Sequence, residues 1–158
     1  MTKFLLSLHV LAAIITVGPI TVAASMFPPS ARKALAEPGS ERAVSVVRLL
    51  HRICRVYGGV GIAVPVLGLA TAMSMGVLGD AWLIVSMVLT GLAAMVLLAL
   101  VLPRQEEILE GVGNSAASPL PPDLEVTARL AMFTGVFNLL WATVTILMIV
   151  RPGSTTGA

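Results

Sequence analysis

Four apolar runs, at about 4–27, 56–78, 81–102 and 130–150, dominate the chain. Each is close to the ~20 residues that a helix needs to cross a ~30 Å hydrocarbon layer. Lipid offers backbone N–H and C=O groups no partners, so such a run must satisfy them within itself as a helix. The runs also lack the apolar–polar alternation of barrel strands. Hydrophobic residues make up 57% of the 158 positions and charged residues only 11%, too few to cover a water-facing surface. The expected fold is all-α: a polytopic membrane four-helix bundle forming a single domain over 1–158.

The connections differ in kind. Gly76 to Asp80 is a tight turn that makes spans two and three a hairpin, whereas 28–55 and 103–128 are longer polar segments. In the first of these, Pro38, Gly39 and Ser40 read as a stop and an N-cap. Ser40 to Arg55 then reads as a short amphipathic surface helix leading into span two. In the second, Glu106, Glu107 and Glu110 precede the loop-forming Gly111, Gly113, Asn114, Pro119, Pro121 and Pro122, so helix is expected only in its first part. Arg32, Lys33, Arg42, Arg48, Arg52 and Arg55 crowd the first long segment, against Lys3 and Arg151 on the opposite side. The excess of Lys and Arg marks the cytoplasmic side, which places both long segments inside and both termini outside, across the cell's inner membrane. The rival reading of the start as a cleaved leader ending near Val22-Ala23-Ala24 would leave three spans with the basic segment outside. The first run is read here as span one.

Several function classes are disfavoured. A formal charge of +2, scattered and without basic–aromatic alternation, does not suit nucleic acid. Cys54 is the only cysteine, so neither an intramolecular disulfide nor a Cys-x-x-Cys motif exists. No Asp, Glu, Lys or Arg lies in the middle of a span, which removes the carboxylate relays of proton-coupled transporters. No serine stands beside an acid-oriented histidine as hydrolase chemistry requires.

What remains is a small polar set inside the spans. His9, about five residues and ~7.5 Å inside span one, is the one ionisable group within a span and is expected to point into the bundle. Thr71, Ser86 and Thr145 fall at a similar depth in the other spans, which suggests a polar ring of the kind a small channel or carrier uses. Met73, Met75, Met87 and Met148 lie in the same half, so a soft-metal or haem ligand, Met73 or Met148, is available opposite His9. The competing reading makes His9 a packing residue hydrogen-bonded to Thr or Ser. Asn138 with Thr134 suits an interhelical hydrogen bond. His51 sits about 27 Å from His9 along the membrane normal, too far to share a metal. Its neighbours Arg48, Arg52 and Arg55 suit lipid headgroups or a topology anchor. Gly58, Gly59, Gly61 and Gly68 give span two a smooth face for close helix approach, including self-association or entry into a larger membrane complex.

The opening Phe4-Leu-Leu-Ser-Leu-His9-Val-Leu-Ala-Ala, the Val17-Gly18-Pro19 step, and Leu49 through Arg52 and Arg55 through Gly58 resemble a bacterial family of predicted integral membrane proteins of unknown function. The same opening is more distantly similar to the membrane protoporphyrinogen oxidase and copper-resistance D families. That likeness implies haem b or copper handling with His9 as ligand, although no span here contains the lysine of the oxidase pattern. Taken together, these features lead to the expectation of a small membrane protein, structural or accessory, with a haem- or copper-associated redox protein and a channel or carrier as alternatives.

Overall fold

The computed structural model describes residues 1–114 and 124–153. It contains α1 (Thr2–Ala36), α2 (Glu41–Val60), α3 (Ala63–Met75), α4 (Ala81–Met95), a π-helical segment Val96–Val101, α5 (Leu102–Asn114) and α6 (Leu124–Val150). They form four rods long and apolar enough to cross a membrane: α1, α2 with α3, α4 through α5, and α6. In the most apolar 18-residue stretch of each rod, only 28%, 17%, 22% and 17% of the residues are buried within the protein, so most of this apolar surface is left for lipid. The protein is an integral membrane protein of four spans.

The rods are longer than the hydropathy pattern predicts. At 1.5 Å per residue, a 35-residue α1 reaches about 52 Å, far beyond the hydrocarbon layer. Pro28 and Pro29 were expected to lie in a polar loop, but α1 continues through them to Ala36. Each proline removes a single N–H, and the extension is held by packing: Phe27, Ala31 and Ala34 are buried in one cluster with Ala43, Val47, Leu50 and Cys54 of α2. The polar connection is therefore reduced to residues 37–40, where Gly39 turns at φ 89 and Ser40 Oγ accepts the Ala43 N–H at 3.3 Å as the N-cap. The Ser40–Arg55 segment is the expected amphipathic helix leading into span two, with Arg42, Arg48, Arg52 and Arg55 on its exposed side. Its apolar positions recur at helical spacing and face α1, making it the lower part of the second rod.

Pro65 explains the step in that rod. It cannot donate to Gly61 O, which instead accepts from Val64 N–H at 3.0 Å across the short break at 61–62. At the far end Gly76, at φ 70, closes α3 through Gly76 N–H to Met73 O and Val77 N–H to Ala72 O, both 3.2 Å.

Packing is unequal along the bundle. In the half holding the 37–40 turn, here the basic half, α2 lies on α1 and α5, and the π-helical segment lies on α6. The main hydrophobic core sits there, around Phe27, Val47, Val101, Leu130 and Phe137. In the terminal half, where both α1 and α6 have their outer ends, α3 packs on α1, α1 on α6 and α6 on α4, whereas α3 and α4 approach closely only near the turn that joins them. The second cluster is small, Ala72 with Trp82 and Leu83. The terminal half is thus a row of helices with an open seam between α3 and α4.

Candidate functional site

His9 is seated by an absence of side chain. Its ring lies across Gly68 of α3 so closely that a Cβ there would stand 2.9 Å from His9 Cε1 and 3.3 Å from Nδ1. The imidazole is buried, and Nδ1 lies 3.0 Å from Val64 O. A carbonyl can only accept, so Nδ1 carries a proton in this contact, and in the Nδ1–H tautomer the lone pair is on Nε2. Among the described residues Nε2 has no hydrogen-bond partner. The expected bond from His9 to a Thr or Ser hydroxyl is replaced by this backbone contact.

His9 forms part of the wall of a partly open cavity of about 940 Å³ lined by α1, α3, α4 and α6 in the terminal half. The volume falls within the ~300–1,000 Å³ of small-molecule and cofactor sites. The lining is mainly apolar and includes Met75, Met87 and Met148 and both tryptophans, Trp82 and Trp141. The open α3/α4 seam lies along it. Met73 does not reach the cavity; it is 62% exposed on the outside of α3.

The hydroxyls read as a ring are each bound to their own helix. Thr71 donates to Leu67 O at 2.7 Å, Ser86 to Trp82 O at 2.7 Å and Thr145 to Trp141 O at 2.9 Å. Thr71 and Thr145 line the cavity, whereas Ser86 is fully buried beside it. At the rim, Trp82 Nε1–H donates to Asp80 Oδ2 at 3.0 Å, and the Arg151 guanidinium lies over the Trp82 ring, 5.5 Å from its centroid.

The other polar groups serve helix contacts elsewhere. Asn138 makes its interhelical bond, Nδ2–H to Ser25 Oγ of α1 at 3.2 Å, while its Oδ1 and Thr134 Oγ1 are buried with no hydrogen-bond partner among the described residues. In the basic half, His51 Nδ1 lies 3.2 Å from Gln105 Oε1, and Gln105 Nε2–H points to Cys54 Sγ at 3.6 Å. Gln105 lies in the part of the 103–128 segment expected to be helical and is fully buried, and its polarity gave no signal of this role. Arg48, Arg52 and Arg55 are exposed along α2. Gly58 faces Leu97 and Gly68 faces His9, so these two small residues of span two are used within the chain. Among the described residues no three His, Cys, Asp or Glu side chains converge as metal ligands.

A family model described as predicted integral membrane protein (DUF2269) matches residues 3–152. No curated protein and no solved structure matches the chain.

Proposed function

The chain belongs to this DUF2269 family of predicted integral membrane proteins, and from that premise we propose that it binds an apolar, cofactor-sized molecule, haem b, in the terminal-half cavity with His9 as its ligand. One observation carries the reading beyond a structural or accessory role. The His9 ring is fixed by Nδ1–H on Val64 O while Nε2 keeps an uncommitted lone pair at the wall of an apolar cavity. A histidine that only packs gains from having both nitrogens bonded. A metal-ligating histidine has its second nitrogen held by a backbone carbonyl or carboxylate, which sets the tautomer and the ring plane. When bound, haem supplies electron-transfer or oxygen chemistry; the protein supplies orientation, exclusion of water and the ligand nitrogen. Met148, Met75 and Met87 offer soft sulfur along the same cavity. The likeness of the Phe4–Ala13 opening to the protoporphyrinogen oxidase and copper-resistance families points the same way, through His9 alone. A polar path through the bundle has less support, because the ring hydroxyls are bound to their own backbones.

The test is a visible spectrum, oxidised and dithionite-reduced, of protein purified in detergent from cells supplied with haem precursor. A near-stoichiometric Soret band that is lost in His9→Ala is the expected result. A colourless wild type that also fails to take up added haem overturns the reading.

A further inference from the structure

We propose that Arg151 is the headgroup site of the cavity: it binds the carboxylate of an anionic amphiphile whose apolar body extends toward His9. The inference deepens the ligand-binding reading above and rests on the same cavity, but on different residues. Arg151 is the one charged side chain among those lining the cavity, and it stands at the end of α6, six residues or about 9 Å beyond Thr145.

Its position is built. Arg151 N–H still donates to Leu147 O at 2.9 Å, closing the last helical turn, but its φ of 45 lies in the left-handed region that a side chain with a Cβ rarely adopts. Pro152 follows, and a residue before proline is ordinarily extended. That conformation accompanies a side chain folded back across the cavity rim, where it lies over Trp82 and where Nε–H donates to Met148 O at 3.3 Å. Capping the helix and stacking on the indole engage Nε and one face of the guanidinium. The two Nη groups, whose parallel N–H bonds match a carboxylate, have no hydrogen-bond partner among the described residues. The nearby acid does not cancel the charge by pairing: Asp80 accepts from Trp82 Nε1 and makes no ion pair with Arg151. An unpaired cation fork over one end of an apolar cavity, with a lone-pair nitrogen deeper in, complements a molecule with an acid at one end. Such a molecule can enter sideways through the α3/α4 seam while its headgroup stays at the interface.

A carboxylate on an apolar body occurs in a porphyrin and in a fatty acid, and two titrations separate them. Trp82 and Trp141 are the only tryptophans and both line the cavity, so quenching of intrinsic fluorescence reports occupancy directly. Purified wild type, Arg151→Gln, Arg151→Lys and His9→Ala are titrated with haem and its dimethyl ester, and with a brominated fatty acid and its methyl ester. The expected result is that wild type binds at least one acid about tenfold or more tightly than its ester, the scale of one charge-assisted hydrogen-bonding contact. That preference collapses to near unity in Arg151→Gln, survives in part in Arg151→Lys, and survives in His9→Ala even though the Soret band is gone. Preference for the fatty acid without haem uptake keeps the Arg151 site and removes the haem reading. Equal affinity for acids and esters in wild type, or a preference unchanged in Arg151→Gln, overturns the Arg151 site whatever the Soret band shows.

Discussion

Two glycines that look alike in the sequence have opposite roles at the residue scale. Gly68 is the floor under His9, and a Cβ there would sit 2.9 Å from Cε1, well inside contact distance, with the ring pinned by its bond to Val64 O. Gly68→Ala is expected to push the imidazole off that carbonyl and to cost about 1–3 kcal/mol, the usual penalty for overpacking. Thermal unfolding in detergent measures the cost, and an unchanged melting temperature with His9-dependent binding intact would show that the ring has room to move. Gly91 also lines the cavity, but a Cβ there meets nothing within 4 Å. Gly91→Leu should fold at least as well, gaining up to about 1 kcal/mol of helix propensity, yet fill the space and abolish tryptophan quenching by haem. Retained quenching would place the ligand elsewhere. The depth and inward aim of His9 were legible, because an ionisable group in a span has few other places to go. The slot at Gly68 was not: small-residue spacing says that a close approach occurs, but not which side chain makes it. Met73 and Met148 likewise share a depth in the sequence and separate only when helix rotation is known, Met148 to the cavity and Met73 to the outside.

At the scale of elements, hydropathy located the spans but ended them too early. It drops where Arg32 and Lys33 begin, while α1 runs on to Ala36 because Ala31 and Ala34 meet α2, a contact between residues distant in sequence. The same packing tolerates two prolines in mid-helix. Pro28 is itself buried, so its replacement would trade a hydrogen bond for a void, but Pro29 is exposed and its ring supports nothing inside. Pro29→Ala restores an N–H for Ser25 O with no packing lost and should raise stability by about 1–3 kcal/mol, less than the full interior penalty because the surrounding helix is already formed. A higher melting temperature in detergent checks it; a lower one would mean that Pro29 is needed to bring Ser25 to Asn138. Gln105 shows the same limit of local reading. The π-helical segment before it alters the helix phase, and with Leu97 and Val101 turned into the core, Gln105 follows them inward to His51 and Cys54.

At the scale of the whole molecule, the asymmetry between a packed basic half and an open terminal half bears on which face of the membrane the ligand meets. Arg32, Lys33, Arg42, Arg48, Arg52 and Arg55 lie on or beside the helix extensions at one end, with Arg104 and Arg129. Lys3 and Arg151 are the basic side chains toward the other. The extensions carry those residues beyond the hydrocarbon layer without a long loop, so they lie close to span ends, where basic residues count in setting orientation. The basic half should therefore face the cytoplasm, and the His9 cavity with its Arg151 rim should lie in the leaflet on the opposite side. Alkaline phosphatase fused after Ala158 is expected to be active and a fluorescent cytoplasmic reporter there dark, with the pattern reversed for fusions truncated at Gly39 in the α1/α2 turn. Since orientation follows the charge imbalance, replacing Arg48, Arg52 and Arg55 together by Gln should weaken it, giving mixed reporter activity. These three side chains are exposed and outside the core, so loss of the folded protein is not the expected cause. The reverse pattern in the unmodified chain would place the cavity in the cytoplasmic leaflet and require any carboxylate ligand at Arg151 to arrive from that side.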